Sequence, residues 1–187
     1  MRPLLLQRGA WDFALASLAV VRRTDNSVRM VLGGVAPIPW RVNPSVEEDV
    51  ASAPLAEDDI DAVVSLWTDC GLVRPWNDAR RDIDFARGKE GSDILVGISE
   101  GVLVSSVLVG HDGHRGWLYY LAVAPASQRR GIGRETVAAA EAWLKARGVW
   151  AINLNIRSEN EKVRAFYAAL GYEMRDVIVM GKRDIDR

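Results

Sequence analysis

The sequence predicts an α/β fold, helices flanking a mixed β-sheet with a short β-rich extension in front, on three observations. An uncharged stretch at 117–123, built from β-branched, aromatic and leucine residues, reads as a buried strand. Pro125 ends it, and a glycine-containing turn then opens a helix, giving a strand–turn–helix unit. On both sides of that unit, segments with helical apolar spacing alternate with short apolar runs bounded by glycine, the pattern of a mixed α/β domain.

The 187 residues are enough for one domain with a sizeable core plus a small addition. An apolar fraction of 49% with 26% charged residues argues against disorder. The net charge of −1 gives no overall pull towards nucleic acid or an anionic membrane, so neither is expected as a partner. No apolar run approaches the roughly 18 residues of a membrane span. Residues 13–21 imitate the core of a signal peptide, but Asp12 borders them and Arg22-Arg23 follow. The single cysteine, Cys70, permits no internal disulfide and fits a reducing compartment, so a cytoplasmic location is expected.

Charge marks a boundary near Asn43-Pro44: residues 1–41 hold six arginines against Asp12 and Asp25, whereas 47–61 hold seven acids and no base. The expected organisation is an extension over 1–44 and a domain over 45–187. In the extension, apolar runs at 13–21 and 28–32 flank Thr24-Asp25-Asn26-Ser27, as in a β-hairpin. Beyond it, Asp58 or Asp59 can cap a helix whose apolar face is Ile60, Val63, Val64 and Trp67. A second helix is predicted over 78–87, and strands over 94–98 and 102–109. The Asp112-Gly113 pair signals a turn before the strand at 117–123. The following helix is expected over 133–147, with Val137, Ala140 and Leu144 inward and Gly148 at its end. A strand over 150–156, a helix over 161–170 capped by Asn160, and a last strand over 177–180 complete the domain.

The turn Gln128-Arg129-Arg130-Gly131-Ile132-Gly133 carries the chemistry. Gly131 and Gly133 let successive N–H groups converge, the helix start adds its free N–H groups and dipole, and Arg129, Arg130 and Arg134 add positive charge; together they suit a phosphate-bearing ligand. A nucleoside-triphosphate loop is unlike this one, since no Lys-Ser/Thr follows the glycine. A dinucleotide fingerprint is also unlike it, because Thr136 occupies the third small position and the next strand offers Asn153 and Asn155 in place of an acid.

The remaining pattern, Gln/Arg-x-x-Gly-x-Gly after a strand ending in Val-x-Pro, resembles the acyl-CoA pyrophosphate loop of GNAT N-acetyltransferases. Residues 54–183 as a whole resemble that family, and more narrowly its bacterial YpeA type. The narrower likeness rests on Leu66-Trp67, Cys70, Leu72, Arg74-Pro75-Trp76-Asn77-Asp78, Asp82-Ile83, Asp112-Gly113-His114-Arg115-Gly116, Tyr119-Tyr120-Leu121, Leu170-Gly171-Tyr172-Glu173 and Gly181-Lys182-Arg183. It implies a twisted mixed sheet splayed between its fourth and fifth strands, with acetyl-CoA as co-substrate in the splay. It also implies that the backbone of Leu121, Ala122 and Val123 pairs with the pantetheine arm. The pyrophosphate is expected on Gln128, Arg129, Arg130, Gly131, Ile132, Gly133 and Arg134, and Asn160 beside the pantetheine. Tyr167 is expected to act as acid towards the departing thiolate and the Val123 N–H to stabilise the oxyanion. Trp76, Asn77, Asp78 and Tyr119 are the expected acceptor side, for a small-molecule or peptide amine.

Two positions depart from the pattern. Asn155 stands where related ribosomal-protein acetyltransferases carry a glutamate base, which leaves Asp78, His111, His114 and Tyr119 as proton acceptors of equal standing. Ser105 stands where the YpeA type has glycine. No metal is expected, since His111 and His114 flank an Asp-Gly turn without a third ligand. Residues 9–43 resemble part of the C-terminal domain of molybdenum-hydroxylase flavoprotein subunits, but without that family's flavin-holding glycine segments, so no FAD is expected. A non-catalytic acyl-CoA-binding module is the alternative, and a homodimer stays open.

Overall fold

A computed structural model describes residues 50–182, together with the backbone of Ala19–Arg22 and Val28–Val31. The likeness of residues 9–43 to a flavoprotein fragment falls mostly outside the described residues. The two short strands, β1 (Ala19–Arg22) and β2 (Val28–Val31), form an antiparallel ladder running from Ala19↔Val31 to Arg22↔Val28. The chain divides into two compact units, 1–154 and 155–187.

The first unit is built on a five-stranded sheet in the order β3-β4-β5-β6-β7: β3 (Ala51–Pro54), β4 (Ser92–Ser99), β5 (Val102–His111), β6 (Gly116–Val123) and β7 (Ile152–Leu154). All neighbours are antiparallel except the fourth and fifth strands, β6 and β7, which run parallel. Strand β3 has no counterpart in the sequence reading: Ala51-Ser52-Ala53-Pro54 lacks β-branched residues, and it forms because the long β4 offers an edge from Leu95 to Ile98. The parallel ladder covers only Gly116–Leu118 against Ile152–Leu154, so the strand expected at 150–156 is reduced to three residues.

Strands β4 and β5 are buried along both faces, which explains their near-continuous apolar runs. On one face pack α1 (Ile60–Asp69) and α2 (Ala79–Ala86). Ile60, Val63, Leu66, Trp67, Ala79 and Ile83 join Ile94, Val96 and Ala122 in a single core. Leu66 replaces Val64 on the inner face of α1; Val64 lies at its margin. A 3-10 turn at Glu57–Asp59 precedes α1, and Asp59 holds the N-cap position without a side-chain cap bond. In α2, by contrast, the Asp78 carboxylate accepts from the N–H groups of Arg80 and Arg81.

On the other face lies α3 (Ile132–Lys145), which buries Val137, Ala140 and Leu144 as the spacing predicts. Adjacent serines in β5 serve the two faces. The Ser106 Oγ accepts from Trp67 Nε1 at 2.8 Å, and the Ser105 Oγ lies 2.8 Å from Thr136 Oγ1 on α3. Both serines are fully buried, and each has the partner such a group needs. Opposite Ser105, Gly97 has no Cβ; one placed there would stand 2.3 Å from the serine oxygen, so the glycine makes room for the serine.

The second unit contains α4 (Glu161–Ala168), whose N-cap Asn160 accepts from the Val163 N–H at 3.2 Å. The strand expected at 177–180 does not form: Val177, Ile178, Val179 and Met180 are strongly exposed and belong to no strand. Their β-branched composition is without effect because a strand needs a partner edge. No helix among the described residues is long and apolar enough to cross a membrane.

Gly116 tests the packing between sheet and α3. A Cβ there would meet Leu144 Cδ1 at 2.7 Å and Val149 Cγ1 at 3.1 Å, and Leu144 is itself fully buried. Gly116→Ala is therefore expected to cost about 1–3 kcal/mol, read as a urea midpoint about 1 M lower. An unchanged midpoint would show that the interface has slack.

Candidate functional site

The middle of β6 breaks the rule that side chains alternate between faces. Gly116 faces α3, so Tyr120, four residues on, should face α3 as well. Instead Tyr120, Ala122 and Ala124 pack with the α1/α2 core. The cause is a register shift against β5 between Ser106 and Leu108, where Tyr120 and Leu121 together oppose a single residue, and Tyr120 has φ +50. A bulky residue in the left-handed region costs energy and must be held there. Tyr120 stacks on Trp67 at 4.1 Å between ring centroids and 12° between planes. Its hydroxyl donates to Asp82 Oδ2 at 2.6 Å and accepts from Asn77 Nδ2 at 2.8 Å. Burial, followed by the Asp82 hydrogen bond, pushes its pKa up to about 12. Local propensity gives no signal for this bulge, and Tyr119 rather than Tyr120 is the residue expected at the site.

Beyond the bulge, the Ala124 N–H donates to Val104 O at 2.8 Å. The alternation of an antiparallel ladder then directs the N–H and C=O of Val123 to the opposite edge of β6. On that edge the ladder with β7 has already ended at Leu118. The Val123 carbonyl accepts from Gln128 Nε2 at 3.1 Å and from the Cys70 thiol at 3.3 Å. Gln128 is thus turned back on the strand, and its amide holds the turn against β6. Burial pushes the Cys70 thiol up, which keeps it protonated as a donor.

The turn between β6 and α3 alternates handedness as an anion-binding nest requires. Arg129 has φ +67 and Gly131, the N-cap of α3, has φ +90. No side chain caps the first turn of α3, and a helix of 14 residues carries a full dipole. Arg129, Arg130 and Arg134 are exposed around it. Glu135, also in the first turn, has one carboxylate oxygen buried without a hydrogen-bond partner, and burial raises its pKa.

A cavity of about 360 Å³ is lined by Trp76, Asn77, Asp78, Arg81, Asp82 and Phe85. The structure therefore brings together three of the four residues expected on the acceptor side and adds Asp82 and Phe85, which the sequence reading did not assign. Tyr119 is not among its walls; it stacks on Trp117 at 6.2 Å. His111 faces Trp143 of α3 at 6.4 Å, and His114 lies exposed in a turn that Asp112 closes by accepting from the N–H groups of His114 and Arg115 and from Trp117 Nε1. Those bonds hold the Asp112 carboxyl well below the usual range. Of the proposed proton acceptors, only Asp78 lines the cavity. Among the described residues, no three His, Cys, Asp or Glu side chains form a group able to hold a metal ion.

In the second unit, Tyr167 is buried, with Phe166 and Tyr172 edge-on at 5.0 and 5.3 Å. Burial pushes its pKa up to about 12. Asn160 is exposed at the start of α4 and caps it.

Comparison with known proteins fits this geometry. The model of the acetyltransferase (GNAT) family matches residues 60–172. An acetyltransferase of Pectobacterium atrosepticum is 42% identical over 130 residues, 70% of this chain and 92% of the relative. An acetyltransferase of Sodalis glossinidius is also 42% identical, over 69% of this chain and 92% of its own. The aminoglycoside N-acetyltransferase AAC(6')-Iy, solved with a bisubstrate analogue built on CoA, superposes with a TM-score of 0.62 at 17% identity, over 72% of this chain and 98% of that one. The nest at a helix start, the strand edge left open beside it and these relatives converge: the chain belongs to the acetyltransferase (GNAT) family and is an N-acetyltransferase.

Proposed function

We propose that acetyl-CoA binds along the free edge of β6 and on the turn at 128–134, and that an amine in the cavity by α2 attacks the thioester directly. The observation that carries this reading is the shared origin of both halves in β6: the bulge at Tyr120 leads on one side to the acceptor cavity and on the other to the Val123 N–H and the nest. The pyrophosphate would lie on the N–H groups from Arg129 to Gly133 with the arginines around it. The Val123 N–H would donate to the oxyanion that forms at the carbonyl. The roles of Asn160 and Tyr167 rest on the family motif.

An amine that enters as ammonium first gives one proton to solvent; its nitrogen then adds to the carbonyl, the oxyanion collapses as the C–S bond breaks, and the second proton from nitrogen ends on sulfur. A tyrosine held at about 12 stays protonated throughout and donates a hydrogen bond to a thiolate whose own pKa is about 8.5. The cavity carries Asp78 and Asp82 against the single Arg81, with Trp76 and Phe85 exposed, which suits a small cationic amine with an apolar body. The matched AAC(6')-Iy complex joins CoA and an amine in one ligand, which supports a ternary complex here as well. The motifs around Trp76 and Asp112 support the narrower YpeA type. Residues 1–44 are read as an extension outside the acetyltransferase domain, supported by the charge shift near Pro44 and by a family match that begins at residue 60. The single cysteine supports a cytoplasmic setting.

Turnover of acetyl-CoA with neamine, tyramine, spermidine and a peptide with an N-terminal alanine tests the reading; hydrolysis with none of them consumed would contradict it. Tyr167→Phe is expected to lower kcat about 10²-fold while calorimetry finds acetyl-CoA affinity retained; unchanged kcat would remove Tyr167 from the reaction. The pH profile gives a separate check. Tyr167 loses its proton only near pH 12, so kcat should not fall between pH 8 and 10 through loss of this donor. A basic limb near 10 that disappears in Tyr167→Phe would show an unshifted tyrosine.

A further inference from the structure

We propose that Tyr120 is a positioning residue for acetyl transfer, its hydroxyl clamping Asn77 and Asp82 of the acceptor cavity to the bulge of the strand that carries Val123. The inference rests on the acetyl-transfer reading above. A partly buried tyrosine in a left-handed conformation needs compensation, and the stack on Trp67 supplies part of it: Trp67 is fully buried and pinned by its bond to Ser106. The stack would hold a phenylalanine equally well. The hydroxyl therefore has a separate use, and its two partners define it. Asn77 belongs to the loop before α2 and Asp82 to the first turn of α2, and both line the cavity.

One oxygen thus fixes two of the cavity's polar walls relative to the residue that precedes Leu121, Ala122 and Val123. The 2.6 Å bond to Asp82 is of the charge-assisted kind, shorter and stronger than a neutral one. It also orients the Asp82 carboxylate, leaving the second oxygen to meet an ammonium group. Direct transfer is sensitive to this geometry, because an amine displaced by about 1 Å from its line of attack can lose about 10²-fold in rate. The ion pairs Arg80–Asp61 and Arg87–Glu57 tie α2 to the segment around α1, but they are exposed and do not reach β6.

The test is Tyr120→Phe, with Asp82→Asn and the double variant, assayed with the amine of the panel that the wild type turns over fastest. Loss of a hydrogen bond to a charged group corresponds to a fall in kcat/KM for the amine of roughly 10- to 150-fold. The fall should appear in kcat and in the amine KM, with the acetyl-CoA dissociation constant within about twofold of wild type. The double variant should lose less than the sum of the two single ones, since the Tyr120–Asp82 bond is weakened in both. Unchanged kcat/KM, or acetyl-CoA affinity that falls in parallel, would overturn the proposal. Amide hydrogen exchange supplies an arm that needs no turnover: in Tyr120→Phe, the amides at 77–82 and at 121–123 should exchange faster together. If either segment keeps its wild-type protection, the clamp is refuted. A wild-type protein without acetyl transfer would refute the enzymatic reading instead, and the exchange arm would still judge the clamp.

Discussion

The site depends on one irregularity, the bulge in β6 where Tyr120 and Leu121 share a single partner position on β5. A regular strand would have sent the Tyr120 ring towards the face that α3 covers at Gly116. The bulge sends it to the opposite face, against Trp67, and changes the strand's path just where the ladder with β7 has ended. Such features are concentrated next to active sites because they re-aim side chains and stop strand pairing. Here both effects are used: a polar hub is placed at the cavity, and the Val123 N–H is left on an open edge. The strain of a tyrosine at φ +50 is offset by a stack and two hydrogen bonds.

Much of this architecture is legible in the sequence, for identifiable reasons. The strand at 116–123, the turn and α3 follow from composition, Pro125 and the glycines, since an αL position such as Gly131 is most easily filled by glycine. The N-cap role of Asn160 follows from side-chain chemistry. What stays hidden depends on tertiary context. β3 exists only because β4 offers an edge, and its residues have no strand character of their own. Val177 to Met180 have that character and form no strand. Arg129 adopts φ +67 although nothing local favours it, and the same holds for Tyr120. Local patterns name the residues of the nest; they do not show which residues depart from their own preferences to build it.

The electrostatics divide along the same lines. Around the turn, backbone N–H groups, a helix dipole and three arginines favour an anion. Around the cavity, Asp78 and Asp82 outweigh Arg81 and favour a cation. A CoA thioester and an amine meet those opposite demands. Among the candidate proton acceptors, Asp78 is the one that lines the cavity. Direct transfer depends on positioning, and positioning is what the hub at Tyr120 supplies.

The most direct test of the central claim is backbone amide NMR of the full chain as acetyl-CoA is added. The account predicts the largest shifts at Val123 and at 129–133, with smaller ones at 121–122, because these N–H groups meet the ligand. Saturable binding with Val123 and Gly131 unmoved would place the co-substrate elsewhere and contradict the account.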